Sequence, residues 1–150
     1  MDFPPIDEPT TVAINDVVTQ CENARRLCQT ALETNSAEAL QPLLRRAAAT
    51  YEGIVVELRD GLFGTAGEAT GDGTVRGYFR RLKEEVGQRA GWRDSRHLLD
   101  ALTEQNGRVR AAFDAALEQV TGARIKTILV AKRSVVDGLA NQVDAAADEI

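Results

Sequence analysis

Apolar residues recur at intervals of three and four in four separate stretches of this chain, the spacing that lines them up on one face of an α-helix. In the first stretch the stripe is Val17, Cys21, Ala24, Cys28 and Ala31. A helix that starts near Thr10 or Thr11, either of which can cap it, and ends around Asn35 accounts for that pattern. The second stripe runs through Leu43, Leu44, Ala47, Tyr51, Ile54, Val55, Leu58 and Leu62. Asn35 and Glu38 have capping-box spacing, but Pro42 removes a hydrogen bond from a helix begun that early. The expectation is an irregular turn over residues 36–40 and a regular helix from near Pro42. The third stripe is Leu98, Leu99, Leu102, Val109, Phe113, Ala116, Leu117 and Val120, on a helix from Asp94 or Ser95, with Gly122 where a C-terminal cap glycine belongs. The fourth helix runs from about Ala123 almost to the end, with Ile125, Ile128, Leu129, Val136, Leu139, Val143 and Ala146. No stretch alternates with period two for long enough to predict a sheet.

The segments between these helices set the topology. Pro4, Pro5 and Pro9 make residues 1–9 an extended tail. Residues 10–150 then form one bundle domain. "GTAGEATGDGT", Gly64 to Thr74, breaks the pattern with four glycines, and "QRAGWRD" is a second break. Between them "VRGYFRRLKEEVG" predicts a short amphipathic helix capped by Thr74. The expected fold is therefore all-α: two helical hairpins joined by a long crossover, about residues 63–94, that carries a short extra helix. One long crossover is the ferritin-like variant of the four-helix bundle, whereas an up-down-up-down bundle needs a short second connection.

Length and charge narrow the function. One hundred and fifty residues suit a single domain with a sizeable core. A formal charge of -5 argues against nucleic acid, which needs a concentrated positive field. No apolar run approaches the ~20 residues of a membrane span. The acidic, proline-rich start lacks the basic and apolar regions of a secretion signal, so the expected location is the cytoplasm.

The quoted stretches "INDVVTQCENA", "LLRRAAATYEGIVVEL" and "LLDALTEQNGRVRAAFDAAL" resemble a bacterial family of ferritin-like four-helix proteins of unknown function, over about Ile14 to Val143. Members of that family carry a similar cysteine in the first helix and a glycine midway along the third, here Cys21 and Gly107. The resemblance implies a fold and leaves the activity open. Di-iron members of the wider superfamily need inward carboxylates and two Glu-x-x-His pairs, whose spacing places both ligands on one helical face. This chain has one histidine, His97, preceded three positions earlier by Asp94, and no Glu-x-x-His. Di-iron oxidase chemistry is not carried over.

The chemistry-bearing residues read mainly as structure. Cys21 and Cys28 are seven residues apart, which on a helix is about 10.5 Å along the axis. That is beyond the roughly 7 Å Cα separation a disulfide tolerates, so the two are expected as core residues rather than a metal or redox pair. His97 falls in a helix N-terminal turn. The dibasic pairs Arg25-Arg26, Arg45-Arg46, Arg80-Arg81 and Lys132-Arg133 read as solvated faces, and Tyr78, Phe79 and Trp92 as anchors for the crossover.

Gly53, Gly107 and Gly138 lie mid-helix, where each costs about 0.5–1 kcal/mol relative to alanine. Two readings stand for them: simple tolerance on exposed faces, or close helix approach within the bundle or at a dimer seam. At mid-height, an even folding of both hairpins brings Cys21, Tyr51, Asn106 and Val136 to one level. The nearest acids, Glu22, Glu52 and Asp137, are one position off the stripes and are expected to turn toward the bundle's flanks, where water solvates them; a metal held by these three is the alternative.

The expected function is a non-enzymatic ferritin-like helical bundle acting through protein–protein contacts, as a homodimer, with no cofactor, nucleic acid or membrane partner. The alternative is a metal-binding or redox stress protein with a degenerate ferritin-like site. A carrier of an apolar ligand inside the bundle is the third reading.

Overall fold

The computed structural model describes residues 8–33, 38–60 and 95–149. They form helix α1 (Glu8–Glu33), a single 3-10 turn (Glu38–Leu40), α2 (Gln41–Leu58), α3 (Ser95–Gln119) and α4 (Ala123–Asp148), with no strand among the described residues. Residues 1–7, Asn35, Leu62, the crossover with its short helix, Tyr78, Phe79, Arg80, Arg81, Trp92 and Asp94 lie outside them.

Helix boundaries follow local chemistry. α1 includes Glu8 and Pro9, ahead of the expected start at Thr10 or Thr11. A proline is tolerated there because first-turn N–H groups have no intrahelical partner. The Thr10 hydroxyl accepts a bond from the backbone N–H of Thr121, tying the start of α1 to the end of α3. The irregular turn expected before Pro42 is present as the 3-10 turn, and Pro42 stands in the first turn of α2. Gly122 departs from the reading as a cap on the third helix. It follows Val120 and Thr121 and directly precedes α4, with φ 114° and ψ 122°. That backbone is one L side chains rarely adopt, so glycine is required at this joint. Its carbonyl accepts from the Lys126 N–H to close the first turn of α4.

Cross-helix contacts fix the directions. Thr121 meets Thr10 and Gln105 meets Gln20, so α3 runs antiparallel to α1. Asp114 meets Arg133 and Arg110 meets Asp137, so α4 runs antiparallel to α3. Lys132 pairs with Glu57, and Arg46 donates to Gln142 at 2.8 Å, so α4 is also antiparallel to α2. α1 packs most heavily on α2 and on α3, and α3 packs on α4, while the α2–α4 seam is sparse. Around the bundle the order is α1, α2, α4, α3. α2 and α3 face each other across the diagonal.

The core is the sum of the four stripes. Ile14, Val17, Leu27, Leu44, Leu58, Leu98, Leu102, Phe113, Leu129 and Val136 are all buried in one cluster. Burying a side chain of this size is worth about 1.5–3 kcal/mol. All but Ile14 and Leu27 are positions of the stripes read from the sequence.

Candidate functional site at the centre of the bundle

The four residues expected at one level are all buried: Cys21, Tyr51, Asn106 and Val136. The Tyr51 hydroxyl donates to the Asn106 side-chain oxygen. This bond spans the diagonal from α2 to α3. Burial drives the Tyr51 hydroxyl pKa well above its ordinary value, and the nearby Cys21 and Cys28 add to the effect. The phenol is therefore a neutral donor. Asn106 keeps its amide N–H groups without a partner, a cost of about 1–3 kcal/mol.

One position earlier on α3, buried Gln105 turns toward α1. Its amide donates to the Gln20 carbonyl at 3.0 Å and to the Gln20 side-chain oxygen at 3.1 Å. Asn23 and Thr30, also on α1, are buried with the Asn23 side-chain oxygen and the Thr30 hydroxyl unpartnered. Stripe analysis misses Gln105, Asn23 and Thr30 because it follows apolar positions alone. A signal for Gln105 exists: with Asn106 it fills the gap between Leu102 and Val109, where the α3 stripe has no apolar residue.

Both cysteines are free and buried, as their stripe implies. Burial pushes the Cys28 thiol up to about 12. Cys21 is raised further by burial and then by the neighbouring Glu22 carboxylate. The thiolate is the reactive form of cysteine, so both sulfurs are held in their inert state. His97 is exposed in the first turn of α3.

The three candidate acids are not brought together. Glu22 is held by Arg25 at 3.0 Å, with Arg26 at 4.0 Å, all on α1. Asp137 is held by Arg133 at 2.9 Å and by Arg110 at 3.1 Å, and so belongs to the α3–α4 flank. Glu52 is exposed on α2. Among the described residues no group of three histidine, cysteine or acidic side chains is placed to hold a metal ion. The arginines also compensate Glu22 and Asp137 where they stand, so neither carboxylate needs a cation.

The mid-helix glycines lie on exposed faces rather than at close approaches between helices of the bundle. Gly53, Gly107 and Gly138 are exposed, and a Cβ built on any of them meets nothing within 4 Å. They point away from the core, so their missing side chains serve no packing inside the bundle. None of the described helices is long and apolar enough to cross a membrane. No protein-family model matches the chain, and no curated protein or solved structure shows significant similarity to it.

Proposed function

We propose that this chain is a non-enzymatic, ferritin-like helical bundle that works through protein–protein contacts, as a homodimer, and whose centre is a packing layer. The observation that carries the reading is the makeup of that centre. The level at which a di-iron protein gathers carboxylates and histidines holds Cys21, Tyr51, Asn106 and Val136, and the nearest acids are neutralised by arginines on the flanks or face water. Thiols suppressed by burial and a neutral phenol offer no nucleophile, base or metal ligand at neutral pH.

The ferritin-like assignment draws support from helix directions. α2 and α3 both run antiparallel to α1 and so point the same way. A link between two parallel helices must return along the bundle, and the thirty-six residues between Leu58 and Ser95 are ample for it. The resemblance of the first three helices to the bacterial ferritin-like family agrees with that topology.

Elemental analysis of protein purified without chelator tests the reading. Substoichiometric metal, with iron, manganese and zinc all low, is the expected result. A stoichiometric metal favours the alternative, a metal-binding or redox stress protein with a degenerate site. A small apolar molecule seen by native mass spectrometry favours the carrier.

A further inference from the structure

The polar ties between helices are of two kinds. Those that join α1, α2 and α3 engage buried side chains. Tyr51 of α2 donates to buried Asn106 of α3, and buried Gln105 of α3 donates to Gln20 of α1. The buried Thr10 hydroxyl of α1 accepts from Thr121, just past the end of α3.

α4 is tied differently. Among the described residues three ion pairs cross from one helix to another, and all three end on α4. Lys132 pairs with Glu57 of α2, Arg133 with Asp114 of α3, and Asp137 with Arg110 of α3. The Glu57 and Asp114 side chains are 57% and 56% exposed. The bond from Arg46 of α2 to Gln142 of α4 is exposed as well. By contrast, Glu22 with Arg25 and Glu104 with Arg108 are pairs within single helices and hold no helix to another.

Packing repeats the division. α1 packs heavily on both α2 and α3, whereas α4 packs on α3 and only sparsely on α2. Leu129, Val136, Leu139, Ala140 and Val143 are the buried residues of a 26-residue helix. A segment opens ahead of the whole molecule when few apolar residues hold it and its bonds face water. Exposed ion pairs are individually weak, and salt screens them further.

We propose that α4 is an ionically latched closing helix. It comes away as a unit from α1, α2 and α3, which stay folded, and the pairs of Lys132, Arg133 and Asp137 set how often it does so. The open state uncovers the groove between α2 and α3, on the side opposite α1, together with the apolar stripe of α4. Ionic strength thereby controls access to the core.

Native-state hydrogen exchange, read by NMR on the full chain in low urea, tests the proposal. Val136 is at the middle of α4, so its amide reports opening of the whole helix rather than fraying at an end. Its protection is expected to be at least about tenfold below that of Cys21, midway along α1. Raising NaCl from about 0.05 M to about 1 M is expected to widen that gap by about threefold or more. Taking the ratio of the two amides removes the general effect of salt on a chain of charge -5. Lys132→Gln combined with Arg133→Gln is expected to widen the gap about as much at low salt, and to remove most of its response to salt. Arg108→Gln breaks a pair within α3 and is expected to leave the gap unchanged.

Equal protection of Val136 and Cys21, falling together as urea is raised, overturns the separate opening of α4. A gap that neither salt nor the Lys132→Gln/Arg133→Gln variant widens overturns the ionic latch. A gap that Arg108→Gln widens as much as the double variant does reflects lost charge in general, and overturns the latch too.

Discussion

α1 and α4 are each 26 residues long, yet twelve residues of α1 are buried and only five of α4. The difference is chemical before it is topological. α1 carries Ala13, Cys21, Ala24, Cys28 and Ala31 along its inner side, all small, so neighbouring helices approach it closely. It also buries Asn23 and Thr30 beyond the apolar stripe. α1 is in contact with both α2 and α3 and serves as the post of the bundle, while α4 closes it from one side and meets α2 only sparsely. Burial around α1 turns polar groups into constraints: suppressed thiols, orphaned oxygens, a tyrosine bonded across the diagonal. Exposure on α4 leaves a surface for contact.

Truncation at the centre and at the α4 surface separates the two regions most sharply. Tyr51→Ala empties a fully buried aromatic site and is expected to cost about 3–5 kcal/mol by urea unfolding. Val130→Ala, at an exposed position of α4, is expected to stay within about 0.5 kcal/mol of wild type. Equal losses would erase the distinction between post and surface.

Alkaline unfolding sharpens the same contrast through the α1 thiols. An unfolded cysteine ionises near its ordinary value of 9.0, while folded Cys28 holds its proton to about 12 and Cys21 is raised as well. The unfolded state therefore releases protons first. The stability these neutral thiols contribute is complete below pH 9 and falls as pH rises toward 12, by about 1.4 kcal/mol per cysteine per pH unit. Urea midpoints measured from pH 7 to 10.5 are expected to drop above pH 9 in wild type and to drop less in the Cys21→Ala/Cys28→Ala variant. Identical profiles would mean the thiols are not held in the core.

A smaller effect resides in the polar bond itself. Tyr51→Phe keeps the ring and removes the donor to Asn106, and is expected to cost about 1–3 kcal/mol because a buried amide oxygen loses its partner. Tyr51→Phe combined with Asn106→Leu is expected to recover part of that loss. A double variant as unstable as the sum of the singles would show that the two residues act independently.

Much of this architecture is legible in the residues before any coordinates. Periodicity finds the four long helices, Pro42 reveals the irregular turn ahead of α2, and counting heights along the stripes brings Tyr51 and Asn106 to one level. The rest depends on information a stripe does not contain. Gly122 follows the last apolar position of α3, where a cap glycine fits, but its backbone belongs to the joint before α4. Which way a mid-helix glycine faces depends on where the neighbouring helices lie, so the residues alone leave Gly53, Gly107 and Gly138 open between tolerance on an exposed face and close packing. Gln105 sits in a visible gap of the α3 stripe, but its bond is hidden because its partner, Gln20, is eighty-five residues away.

A bundle whose middle is a packing layer has no place there for a metal ion. The most direct test is the melting temperature of chelator-treated protein titrated with ferrous iron, manganese or zinc. A ligand stabilises the folded state only if that state binds it, by an amount that grows with concentration. No rise with any of the three metals is the predicted result. A saturable rise at one metal per chain, abolished by Glu22→Gln, Glu52→Gln or Asp137→Asn, would contradict it.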